Sequence, residues 1–228
     1  ANMGRWDPGF ISGGDAGTLS FGQDGNVEKV YDVILDGDVS AHAYAGREQV
    51  RNGSEPLAGT LDIDTIDIAA FAARTSVDPS AAVNFVIQSD AVPLETYAPD
   101  FTAGDQLPAR GGDPTDPRNP LWWHTLSTAM IDNAGFRKVR ISTAGTVLVE
   151  GGADLHVADG GEVDVTATHV DVEGTVTAHS GTINLTARAT TTTAQEEAAS
   201  SLSMGAQGRL DASGRWINDS ARQADELQ

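Results

Sequence analysis

The residues whose types and spacing could do chemistry in this chain are its aspartates. Asp154, Asp164 and Asp171 take outward positions in successive alternating runs. If those runs stack as parallel strands ~4.8 Å apart, carboxylates on neighbouring strands could pair as a glycoside-cleaving acid and base. No basic cluster or aromatic platform accompanies them, and the simpler reading is a solvated acidic face. Asp36, Asp38, Asp62 and Asp64 are candidate calcium ligands, because aligned carboxylates and turn carbonyls suit a hard cation. No loop motif is complete, however: "DGDVSAH" (36–42) lacks the EF-hand spacing. Calcium is the only cofactor these residues suggest, and the reading without any cofactor comes first. The histidines at 42, 124, 156, 169 and 179 never fall at H-x-x-x-H spacing, which disfavours zinc. A nucleophile elbow, a Walker loop and a dinucleotide fingerprint are all missing.

The tryptophans are the other candidates, as binding or interface residues. Trp122 and Trp123 are adjacent, and could stack on a sugar or anchor their segment against a wall. Trp6 and Trp216 each close a Gly-Arg-Trp triplet, in "NMGRWDPGF" and "ASGRWINDS". Both read as structural, capping a hydrophobic end, with the neighbouring Arg over the ring or paired with a carboxylate. Arg5 and Arg215 are 210 positions apart, so the triplets mark a supra-repeat, with Trp6 and Trp216 expected at opposite ends of the molecule.

Composition narrows the partners. Lys+Arg is 14 against Asp+Glu 33, a formal net charge of −19. Phosphate backbones and anionic lipid need a basic surface, so nucleic acid and membrane insertion are disfavoured. Asp outnumbers Glu 23 to 10, and only two lysines occur, which leans away from helix. The absence of cysteine excludes disulfides and thiolate metal sites. There is no apolar run near 18 residues, and "ANMGRW" does not read as a signal peptide.

The elements that must position these residues are short strands. From Phe136 to Ala187 apolar residues recur at every second position in runs of three to six, separated by Gly or Gly-Gly. That is the period of half-buried strands, and the gaps are too short for helices. Blocks of the form Gly-Thr-apolar-x-apolar recur, as in "GTLSF", "GTLDID", "GTVLVE", "GTVTAH" and "GTINLTA". Val163 and Ile183 are 20 apart, one turn of a β-solenoid. In "LDIDTIDIAA" the phase slips between Ile63 and Ile66, which predicts a corner there. The expected fold is all-β, a right-handed parallel β-helix of about eight coils, ~40 Å long at ~4.8 Å per coil. Residues 1–74 and 135–189 form its coils. Residues 75–134 hold seven of nine prolines and are read as a long insertion, with "VNFVIQS" (83–89) as one strand within it. Residues 190–228 give a short helix near 194–202, a last partial coil and a polar tail.

With these blocks in view the chain resembles filamentous haemagglutinin-type exoproteins of two-partner secretion, specifically a β-helix domain of unknown function found in them. The phrase "LDASGRWIND" (210–219) carries the resemblance, supported by "NAGFRKVRISTAGTVLV" (133–149), "GGDAGTLSF" (13–21) and "VILDGDVSAHA" (33–43). The first triplet continues as "WDP" and departs from that phrase. The resemblance implies export, a secreted, cell-surface or extracellular location, and adhesion. The function expected is a non-enzymatic structural module, one part of something longer, that stacks end to end with like modules as a head-to-tail homo-oligomer or filament. The alternatives are an adhesin segment that binds glycan or protein on a host or neighbour surface through 75–134, and a carbohydrate-active β-helix enzyme.

Overall fold

The structure is a computed structural model, and it describes residues 11–22, 33, 35, 37–65, 83–91, 113, 115–119, 122–188 and 200–215. The alternation of small β-branched residues with polar ones produces thirteen short strands among them. In chain order these elements are β1 (Thr18–Gly22), α1 (Arg47–Asn52), β2 (Thr60–Asp64), β3 (Asn84–Gln88), β4 (Trp123–Ser127), α2 (Thr128–Ala134) and β5 (Lys138–Ser142). They continue as β6 (Thr146–Val149), β7 (Asp154–His156), β8 (Glu162–Ala167), β9 (His169–Val172), β10 (Thr175–Thr177), β11 (Thr182–Ala187), β12 (Ser201–Met204) and β13 (Arg209–Asp211).

The strands form three sheets, and all of their ladders are parallel. The first sheet has the order β1-β2-β5-β8-β11, the second β12-β9-β6-β3-β4 and the third β13-β10-β7. From β5 onward the chain visits the sheets in rotation. β8, β9 and β10 lie in the first, second and third sheets, and β11, β12 and β13 pair with them in the same sequence. The fold is therefore all-β with parallel sheets, as expected. Among the described residues the first and second sheets have five strands each, a stack of roughly 20 Å at ~4.8 Å per strand, against the eight or so coils expected of the whole chain.

Every second side chain points inward, and the register lines these up in columns. Leu61, Val139 and Val163 make one column, and Ile63, Ile141 and Val165 a second. Phe85, Val147 and Val170 make a third across the interior, and all nine side chains are buried. The expected corner falls at Thr65, a bend directly after β2, whose buried hydroxyl donates to the Ser142 carbonyl at 3.3 Å. Ile66 lies outside the described residues.

The stretch 75–134 differs from the expected single insertion. β3 pairs with β6, and β4 pairs with the other edge of β3, so both belong to the second sheet. The chain thus steps back beneath β3 before climbing to β5. α2 follows β4 and packs against both β4 and β7, burying Thr128, Ile131 and Ala134. Its start is capped by Ser127 Oγ, which accepts from Met130 N at 3.3 Å. The alternation was hidden because all five β4 residues are buried, and a strand covered on both faces has no polar side.

In the C-terminal stretch, the described residues of 194–202 include the start of strand β12, and residues 191–199 lie outside the description. Trp6 and Trp216 also lie outside it. The nearest described strands, β1 and β13, terminate opposite ends of the stack.

Candidate functional site

Among the described strands the columns end at β11, β12 and β13, and there the alternation places partly exposed apolar side chains. Leu202 extends the Val170 column and Met204 the Val172 column, yet they are 49% and 57% exposed. Leu210 stands over Val176 and is 44% exposed, while Val176 is fully buried. Ile183 and Leu185 on β11 are half-buried against the core. Among the described residues, each of these strands is paired along one edge only. Terminal strands in soluble proteins commonly carry charge that deters further pairing. β11 and β12, "TINLTA" and "SLSM", carry none.

Below this end, the third sheet's corner forms a cleft of about 470 Å³ lined by His156, Asp159, His179, Ser213, Gly214 and Arg215. The corner is built from one repeated turn. Ala158-Asp159-Gly160-Gly161 is followed 20 residues later by Ala178-His179-Ser180-Gly181. A Cβ on Gly181 would lie 2.1 Å from the Gly161 carbonyl oxygen, and one on Gly161 2.2 Å from that of Arg137. Glycine at this position lets the turns stack. The segment stacked on these turns is Ala212-Ser213-Gly214-Arg215, in the phrase that continues to Trp216, with Arg215 where the turns below carry glycine.

Arg215 ties this last turn to those below. Its guanidinium pairs with Asp159, and its backbone N–H donates to Ser180 Oγ at 3.1 Å. Ser213 N donates to Asp211 Oδ1 at 3.0 Å. The hydroxyl and backbone N–H of Ser213, with Arg209 and His179 nearby, pull the Asp211 carboxyl down to about 2. Asp132 on α2 moves the other way. Burial pushes its carboxyl up, opposed by His156, whose Nδ1 lies 3.4 Å from Asp132 Oδ1. The rings of His156 and His179 meet edge-on at 6.1 Å. Here the polar groups satisfy one another, so the corner acts as a clamp on the last turn.

The aspartates weighed as an acid–base pair, for which a solvated acidic face was the simpler reading, are not brought together. Asp154 lies on β7, Asp164 on β8 and Asp171 on β9, one on each sheet. Register partners on β8 and β11 are 20 residues apart while these aspartates are 10 and 7 apart, so they fall on different sheets. Asp154 accepts from Thr177 Oγ1 at 2.9 Å, and Asp171 from Ser203 Oγ at 2.6 Å.

Of the calcium candidates, Asp36 is outside the described residues. Asp62 faces Arg140 in register, with the ion pair at 3.8 Å, and Asp64 is two residues along the same strand face. Asp38 lines a second cleft of about 420 Å³ with Asp90 and Met130. Among the described residues no group of three or more His, Asp or Glu is placed to hold a metal. Trp123 is only 8% exposed at the start of β4, and Trp122 is half-buried. His124 faces the interior against Phe85, which no sequence signal indicated. No helix among the described residues is long and apolar enough to cross a membrane.

No family model, no curated protein and no solved structure matches this chain.

Proposed function

We propose that the chain is a right-handed parallel β-helix module with a structural, non-enzymatic role in a secreted, cell-surface or extracellular filament, extended at its β11–β13 end by further coils. The observation that carries this reading is the row of exposed inward positions, Leu202, Met204 and Leu210, above buried columns. An apolar interior whose last inward side chains are half-exposed is stabilised by stacking of another unit. The resemblance to filamentous haemagglutinin-type exoproteins, carried by "LDASGRWIND", points the same way.

Sedimentation velocity over a wide concentration range tests it. The wild-type chain is expected to associate as concentration rises, and Leu202→Asp with Leu210→Asp is expected to hold it as a monomer. Monodisperse wild-type monomer at every concentration would contradict the proposal.

A further inference from the structure

We infer that the partner at the open end is a second copy of this chain, and that β11 of one copy pairs in parallel with β1 of the next, Thr182 opposite Thr18. This rests on the end-to-end reading above and specifies its interface. Four observations lead to it.

First, the two terminal strands of the first sheet match residue by residue. Gly17-Thr18-Leu19-Ser20-Phe21 and Gly181-Thr182-Ile183-Asn184-Leu185 carry the same pattern. The ladder already places Thr18 in one column with Thr60, Lys138, Glu162 and Thr182. A second copy set above β11 continues both inward columns of this sheet: Leu19 over Ile183, and Phe21 over Leu185.

Second, within the first sheet charge is confined to the inner strands. Lys138 pairs with Glu162 at 3.0 Å and Arg140 with Asp62 at 3.8 Å. β1 and β11 carry no charged residue, so their meeting buries none despite a net charge of −19 on each copy.

Third, among the described residues nothing packs against the Cβ position of Gly17. In its column, a Cβ on Gly59 would lie 2.6 Å from the Gly17 oxygen, and one on Gly181 2.1 Å from the Gly161 oxygen. Each points at the strand beneath. Gly17 is exposed, and no described atom lies within 4 Å of its Cβ position. Beneath it, in the assembled pair, comes the Gly181 carbonyl of the neighbouring copy.

Fourth, the exposed large hydrophobics divide between the two ends. Leu202, Met204 and Leu210 crown one end, and Ile11, Tyr44, Val50 and Leu57 lie on the segments that flank β1. Ala16 N donates to the Leu57 oxygen at 2.8 Å, and Gln49 bonds Gly13, which holds those segments beside β1.

The chain has no cysteine, so engineered thiols report the register cleanly. Ser20 and Asn184 face outward and would be directly opposed. Residues so placed on neighbouring strands are ~4.8 Å apart, within the ~4.4–6.8 Å that disulfides span. Ser20→Cys mixed with Asn184→Cys is expected to give one cross-linked dimer under mild oxidation, and the double variant a covalent ladder. Gly17→Val is expected to leave the thermal unfolding of the monomer unchanged while weakening association about tenfold or more. Association of the wild type without the Ser20–Asn184 cross-link, or in equal strength with Gly17→Val, would overturn this pairing and leave end-to-end stacking standing. A wild-type chain that stays monomeric would overturn both.

Discussion

At the scale of single residues, the corner beneath the open end is held by charged and hydroxyl groups that satisfy each other. Asp211 is the group whose titration matters most. Its folded carboxyl titrates at about 2, below the ordinary 3.8, chiefly through the Ser213 hydroxyl and then its N–H. A depressed acid contributes stability above its unfolded value and loses it as pH falls through the folded one. The last turn is therefore expected to loosen between pH 3.8 and about 2. In Ser213→Ala the Asp211 carboxyl should titrate closer to 3.8, measured by carbon NMR of the side chain. An unchanged midpoint would show that the hydroxyl is not the cause. The Arg215–Asp159 pair is largely exposed, and Arg215→Ala is expected to cost at most ~1 kcal/mol by chemical denaturation.

At the scale of elements, one column carries the contrast between closed and open parts of the stack. Leu155 on β7 and Leu210 on β13 lie in the same inward column, separated by Val176. Leu155 is fully buried and Leu210 is 44% exposed. Leu155→Ala is expected to destabilise the chain by about 2–5 kcal/mol, as buried Leu truncations do. Leu210→Ala should cost about 1 kcal/mol or less in the monomer, since little cover is lost. Equal effects in urea unfolding would mean that the end is not open. The strands themselves were legible: "TVLV", "EVDVTA", "HVDV" and "TINLTA" alternate cleanly and form β6, β8, β9 and β11. β4 and α2 were not legible as wall. "WHTLS" is buried on both faces, so its polar residues broke the pattern that marks a half-buried strand. Nor does sequence order reveal that β4 lies on the far side of β3, because that pairing depends on a long excursion between them.

At the scale of the whole molecule, periodicity announced the parallel all-β architecture but not which outward residues share a face. Asp154, Asp164 and Asp171 each alternate with valine or leucine in their runs, so sequence alone leaves open whether they stack. Rotation through three sheets sends them to three faces. The open end was visible only once register was known, since Leu202 and Val170 have the same type in sequence and differ only in what lies above them. The net charge of −19 sets copies against each other at long range. Association should therefore strengthen between low salt and about 0.15 M, where the screening length falls to ~8 Å.

Negative-stain microscopy of the wild-type chain, at rising concentration in moderate salt, tests the central claim most directly. A single copy spans roughly 20 Å along the five strands of its first sheet. Rods that lengthen with concentration in multiples of one copy are the expected result. Uniform single particles at every concentration would contradict it.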